Sequence, residues 1–217
     1  MDNTEIIQKT AVFIAREFAL EGSGHDWFHV DRVRRLAMHI GQIEASEPFI
    51  TEMAALLHDL DDWKMTGTKT HFPVKAKKWL TEMEVGANDS SAILQVIEDV
   101  SFRGAGTETL VRSVEGAVVQ DADRLDAMGA IGIARTFAYG GHKSRLIYDP
   151  AVAPVMHTDF QTYQNSTAPT VNHFYEKLLL LKDRMNTKTA KSLAEQRHLF
   201  MENYLEQFFN EWEAKTL

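Results

Sequence analysis

The sequence predicts an all-α protein, built as a non-solenoid helical bundle. Three observations predict it. Apolar residues recur at three- and four-residue spacing along most of the 217 residues, the period of one helix face. No segment of any length alternates with the two-residue period of a strand. No internal repeat or low-complexity tract is present either.

The elements follow in order. Asp2 and Glu5 form a capping-box pattern. Ile7, Ala11, Ile14 and Phe18 then share one helix face, and Gly22-Ser23-Gly24 breaks it. A second helix starts near Asp26 with the stripe His29, Val33, Leu36 and Ile40, while Asp31, Arg32 and Arg34 lie off it. Gly41 and Pro48 bracket the next boundary. A third helix turns Ile50, Met53 or Ala54, and Leu57 toward the core and runs into His58. A polar loop, Thr66 to Thr70, precedes predicted helices over Phe72–Met83 and Ser90–Val100. Residues 101–106 read as a turn, and Thr109 to Val119 as a further helical region. Asp123 is expected to open a small-residue helix through Ala127, Ala130 and Ala134, ended by Gly140-Gly141. Residues 142–169 hold three of the five prolines and read as a long irregular connection. Two helices close the chain. Thr170 is expected to cap the first, with Phe174, Leu178, Leu181 and Met185 on one face. The second carries Ala194, Met201, Leu205, Phe208 and Trp212.

Composition narrows the function. Hydrophobic residues make up 44% of the chain, enough for a sizeable core in one domain spanning residues 1–217. A net charge of −8 argues against nucleic-acid and anionic-membrane partners. Cysteine is absent, so disulfide and thiol chemistry are excluded and any metal must use nitrogen and oxygen ligands. No apolar run approaches the roughly 20 residues of a membrane span. The first five residues are acidic and lack a signal-peptide n-region, so a cytoplasmic location is expected.

The chemistry concentrates at Ala54-Ala55-Leu56-Leu57-His58-Asp59-Leu60-Asp61-Asp62. Adjacent helical positions point about 100° apart, so His58 and Asp59 can meet one metal only near a helix end. Three aspartates at the negative end of a helix dipole need compensation. A bound cation supplies it; the alternative is a helix end capped by His58 and followed by a solvated acidic turn. His29 opens one apolar stripe, and Asp123 heads another. A carboxylate there is costly unless it is paired or metal-bound. Singly, each of the four has a structural alternative, a hydrogen-bonded core histidine or a helix cap. Together they form a set that suits manganese, iron or magnesium more than a closed structural zinc.

The set His29…His58-Asp59…Asp123 resembles the pattern that names the HD-domain metal-dependent phosphohydrolases. The local contexts His29-Val30-Asp31-Arg32-Val33, Leu56-Leu57-His58-Asp59-Leu60 and Ala122-Asp123-Arg124-Leu125-Asp126 resemble the family's three motif helices. The resemblance covers about residues 20–145, with a helical extension over about 170–214 packed on that core. The segment Asn172-His173-Phe174-Tyr175-Glu176-Lys177-Leu178 is similar to the tail of a small bacterial subgroup. Members of that subgroup hydrolyse nucleoside triphosphates to monophosphate and pyrophosphate, typically with manganese. The resemblance implies one divalent metal, Mn²⁺ first, with Mg²⁺, Fe²⁺, Co²⁺ or Zn²⁺ as alternatives. It also implies a nucleotide substrate. The competing activities are a 5′-nucleotidase, a cyclic-nucleotide phosphodiesterase and, outside enzymes, a metal-stabilised nucleotide sensor. The chain is expected as monomer or homodimer.

Further residues are assigned beside the ligands. Asp62, almost one helical turn past Asp59, can serve as general base or acid, or pair at the surface with Lys64. His25 and Asp26 can line the same pocket; Asp26 can equally be an N-cap. Lys64, Lys75, Arg103, Lys143 and Arg145 are candidate phosphate contacts, Arg103 foremost because a Gly-rich turn follows it. Arg124 can instead be a structural partner of Asp121 or Asp126. For Trp27, Phe72 and Trp79 a core role is preferred to base stacking.

Overall fold

The computed structural model describes residues 1–19, 26–61, 72–100, 111–156 and 167–215. Among these residues all regular structure is helical. The α-helices are α1 (Asn3–Glu17), α2 (Trp27–Glu44), α3 (Pro48–Leu57), α4 (Val74–Glu82), α5 (Ala87–Val100), α6 (Val114–Asp126), α7 (Gly129–His142), α8 (Asn172–Glu176) and α9 (Lys188–Trp212). Two 3₁₀ turns, Leu178–Leu180 and Lys182–Arg184, lie between α8 and α9. The chain forms two compact units, Met1–Asp123 and Arg124–Leu217.

In the first unit α3 is the central element, with α1, α2 and α5 packed on it. Its sequence explains this place. Met53 through Leu57 are all apolar and all fully buried, as expected of a helix enclosed on every side. Glu47 caps it by accepting the Ile50 amide at 2.6 Å, and Pro48 opens its first turn. A Leu57→Ala change there would cost about 2–5 kcal/mol, the range for an emptied core site.

The face of α1 differs from the expected one by one residue. Ile6, Thr10, Ile14 and Phe18 are buried, while Ile7 and Ala11 are partly exposed. Buried Thr10 is satisfied: its hydroxyl donates to the Ile6 carbonyl at 2.8 Å and accepts Trp79 Nε1–H at 2.9 Å. Trp79, itself half-buried, also stacks on Phe13 at 4.0 Å.

The second unit contains α7, α8 and α9, with α9 packed on α7. Two expectations are corrected here. The helix predicted to start at Asp123 does not; α6 runs unbroken through Asp123 to Asp126, and the break comes at Met128-Gly129. Met128 is extended and Gly129 has φ +68°, which only glycine takes without strain. Arg197 donates to the Leu125 carbonyl at this break. Burial lowers the Arg197 pKa, against the opposing field of Asp126. Nor does Thr170 cap a long helix. Its hydroxyl donates to the Leu146 carbonyl at 3.1 Å, and only the five-residue α8 follows before the 3₁₀ turns. Phe174, Leu178, Leu181 and Met185 are nonetheless all buried.

Candidate metal centre

Three helix ends in the first unit bring the candidate ligands together. His29 is the third residue of α2. Asp26 caps that helix, its Oδ1 accepting the His29 amide at 2.8 Å. His58 directly follows α3 and keeps helical dihedrals (φ −59°, ψ −36°). Asp59 comes next, in a turn closed by the Leu60 amide donating to the Leu57 carbonyl at 3.1 Å. Asp123 lies in the last turn of α6. Two of these three ends are helix C-termini, where the backbone carbonyls already make the site electronegative.

The resulting geometry is tight. His29 Nε2 lies 3.3 Å from Asp59 Oδ2 and 3.5 Å from Asp123 Oδ1. His58 Nε2 lies 3.5 Å from Asp59 Oδ1 and 4.0 Å from Asp123 Oδ1. The imidazoles meet edge to face, with centroids 5.5 Å apart. His29, His58 and Asp59 are buried, and one ligand atom from each lies within 4.8 Å of the others. Asp123 is the open member, its side chain 39% exposed, so the centre faces solvent on that side.

The chemistry of the donors favours a cation. His58 Nδ1 is 2.8 Å from the Ala55 carbonyl, which can only accept, so Nδ1 carries the proton. In the neutral imidazole Nε2 is then a lone pair. That atom is buried, makes no hydrogen bond, and is surrounded by carboxylate oxygens. A lone pair held against carboxylates is unfavourable until something positive sits between them. A backbone carbonyl on the far nitrogen is also the usual partner that orients a metal-bound histidine. The separations of 3.3–4.0 Å fall within the roughly 4.2 Å that two ligands about 2.1 Å from one ion can span.

The other predicted site residues fall as follows. Asp26 joins the centre through the His29 amide, as a cap. Lys143 and Arg145 lie in the second unit. Lys143 Nζ is 5.6 Å and Arg145 Cζ 5.7 Å from the centroid of the Tyr139 ring. Arg124 donates to the Arg184 carbonyl. Lys75 gives its backbone amide to Asp61 at 2.9 Å. Phe72 is 45% exposed, with Lys77 Nζ 5.4 Å over its ring. His25, Asp62, Lys64 and Arg103 lie outside the described residues.

Sequence reasoning missed the role of Asp61, which it counted only as one of three aspartates at the negative end of a helix. The missing signal was available at the other end of the bond. Helix α4 begins after Pro73 with no side-chain cap of its own, which leaves its first amides open to a carboxylate from elsewhere.

The HD-domain family model matches residues 27–128, a span that contains all four candidate ligands. The Bacillus subtilis protein YpgQ is 43% identical over 190 residues, covering 86% of this chain and 84% of its own. The chain belongs to the HD-domain family of metal-dependent phosphohydrolases. Solved structures agree. A Lactobacillus plantarum protein superposes with a TM-score of 0.86 at 39% identity, over 99% of this chain and 100% of that one. An HD-superfamily hydrolase from Bacillus thuringiensis gives 0.77 at 44% identity, over 99% and 100%. Bacillus subtilis YpgQ in complex with ADP gives 0.75 at 37% identity, over 94% and 97%. The chain is thus an HD-superfamily hydrolase with a His/Asp cluster able to hold a divalent metal.

Proposed function

We propose that this chain hydrolyses nucleoside or deoxynucleoside triphosphates to the monophosphate and pyrophosphate, with His29, His58, Asp59 and Asp123 holding one divalent cation, Mn²⁺ first. The observation that carries the metal half of this reading is the His58 Nε2 lone pair, buried without a hydrogen bond among carboxylates. The nucleotide half is supported by the ADP complex of YpgQ, a relative matched over nearly the whole chain.

The chemistry a divalent cation supplies at such a site is polarisation of a phosphoryl oxygen and a lowered pKa for water. The rest falls to side chains. Water attacks the α-phosphorus, the bond from that phosphorus to the bridging oxygen of the β-phosphate breaks, and pyrophosphate leaves. Asp62 is proposed to take the proton from the attacking water and does not bind the cation itself. Lys64, Arg103, Lys143 and Arg145 are proposed to neutralise the phosphates, and His25 to line the substrate pocket.

The test is a panel of nucleotides with Mn²⁺ present and products separated by chromatography, run on wild type and on Asp62→Asn. Pyrophosphate and monophosphate are expected in equal amounts from triphosphates. Asp62→Asn is expected to lose about 10²–10⁴-fold in kcat, the range for a general acid–base group, with metal content unchanged. Orthophosphate alone, released from monophosphates, would replace this reading with a 5′-nucleotidase. Turnover of cyclic nucleotides only would make the protein a phosphodiesterase. Binding without turnover would make it a sensor.

A further inference from the structure

Asp61 lies two residues beyond Asp59, and its carboxylate is committed to a helix fourteen residues on. Oδ1 accepts the Lys75 amide at 2.9 Å and Oδ2 accepts the Ala76 amide at 3.0 Å. These are the second and third residues of α4, the amides that a capping side chain ordinarily takes. Helix α4 has no cap of its own. Pro73 occupies the N-cap position without a side-chain bond, and no acid stands in the first turn. Asp61 is therefore the cap of α4, supplied from the turn that carries Asp59.

This bond reaches back to the metal centre. The turn after α3 is held upstream by His58, with its helical dihedrals and its Nδ1 bond to Ala55. In the middle it is held by Leu60, 3% exposed and bonded through its amide to Leu57. Downstream, the Asp61 fork ties it to α4. Asp59 sits between these holds, with one carboxylate oxygen against each imidazole, at 3.3 and 3.5 Å. A carboxylate serves two imidazoles at once only if the backbone beneath it is fixed.

We propose that Asp61 is a positioning residue of the metal centre: by capping α4 it fixes the turn that carries Asp59, so that Asp59 meets His29 and His58 before any cation arrives. The inference rests on the four-ligand reading above. The fork requires a carboxylate. Two amide donors meet two acceptor oxygens, whereas an asparagine offers one oxygen and turns an NH₂ toward the other donor.

The experiment titrates Mn²⁺ into the full chain by calorimetry, with thermal unfolding in EDTA measured in parallel. Asp61→Asn should weaken Mn²⁺ binding by about 10-fold, the lower end of the 10–100-fold typical of groups that orient a ligand. Pro73→Asp, added to Asp61→Asn, gives α4 a local cap without restoring the tether. The double variant should regain thermal stability while its Mn²⁺ affinity stays low. Wild-type affinity in Asp61→Asn would overturn the proposal, as would recovery of affinity by Pro73→Asp, since either outcome leaves Asp61 a stabilising cap and nothing more. A wild-type chain that takes up no Mn²⁺ would instead overturn the four-ligand reading, and this inference with it.

Discussion

Two groups of carboxylates, each with a buried member, sit at helix ends in the first unit, and they solve the same electrostatic problem differently. Asp99, 4% exposed near the end of α5, is matched by an arginine. Its Oδ2 accepts the Arg112 amide at 3.0 Å and its Oδ1 accepts Arg112 Nε–H at 2.7 Å. The guanidinium also reaches Glu98 at 3.2 Å and the Gln95 carbonyl at 3.3 Å. These acids, Asp99 first, raise the Arg112 pKa above its ordinary value. At the other group, Asp59 and Asp123 are brought against two imidazoles, which carry charge only when protonated. One of those imidazoles presents a buried lone pair. The lesson is that burial of acids does not by itself mark a metal site. An acid matched by a guanidinium on the chain is structural. Acids gathered around a histidine lone pair leave room for a cation from solution.

The strongest way to break this contrast is to remove an acid from the second group. Asp59→Ala should lose close to one equivalent of divalent metal per chain relative to wild type, because the remaining donors no longer close a site for an oxygen-preferring ion. Metal analysis after dialysis checks it. Equal metal content in both proteins would dissolve the distinction, and with it the metal reading of the His58 lone pair.

The converse change comes next in size. Arg112→Ala should leave metal content unchanged and destabilise the fold. Breaking a fully buried pair costs about 3–5 kcal/mol; here about 2 kcal/mol is expected, since the Arg112 side chain is 40% exposed and water replaces part of what is lost. Urea denaturation in EDTA measures it. The pH dependence has a definite sign. A base whose pKa is raised on folding contributes stability that is complete below its unfolded pKa and is lost as pH rises through the folded one. For Arg112 that window lies in strong alkali. The difference between wild type and Arg112→Ala should therefore be constant from pH 6 to 9. A loss of metal in Arg112→Ala would show that the two groups are coupled.

The candidate ligands were legible in the sequence because they stand at the ends of apolar helical runs, where a polar residue is conspicuous. The helix that carries Asp123 was not. Its apolar run continues through Val118 and Val119 into Gln120, and the breaking signal is Met128-Gly129 rather than anything before Asp123. The face of α1 was ambiguous because Ile6 and Ile7 are both apolar, and a threonine decides between them. Thr10 is a poor core residue by type, yet its hydroxyl bonds to Ile6 and Trp79 make its face the buried one. The Asp99–Arg112 pair and the Asp61 cap were invisible for a common reason. Each joins residues thirteen to fifteen apart across a connection, and no helical or strand period links them.

Asp26 sharpens the contrast at its smallest scale, because it caps locally what Asp61 caps from afar. Its Oδ1 takes the His29 amide three residues on, as an ordinary N-cap does. The sequence allowed it a second role, lining the substrate pocket, and the two roles separate by substitution. Asp26→Ala should cost about 1 kcal/mol of stability, the typical loss for an N-cap. Asp26→Ser keeps an acceptor oxygen for the amide and should restore most of that loss. If capping is the whole role, Asp26→Ser should also match wild type in KM for a triphosphate, and Mn²⁺ affinity should follow stability through the series. A serine variant with restored stability but a KM raised several-fold would show that the carboxylate touches substrate. In that case the first turn of α2 would belong to the pocket as well as to the metal centre.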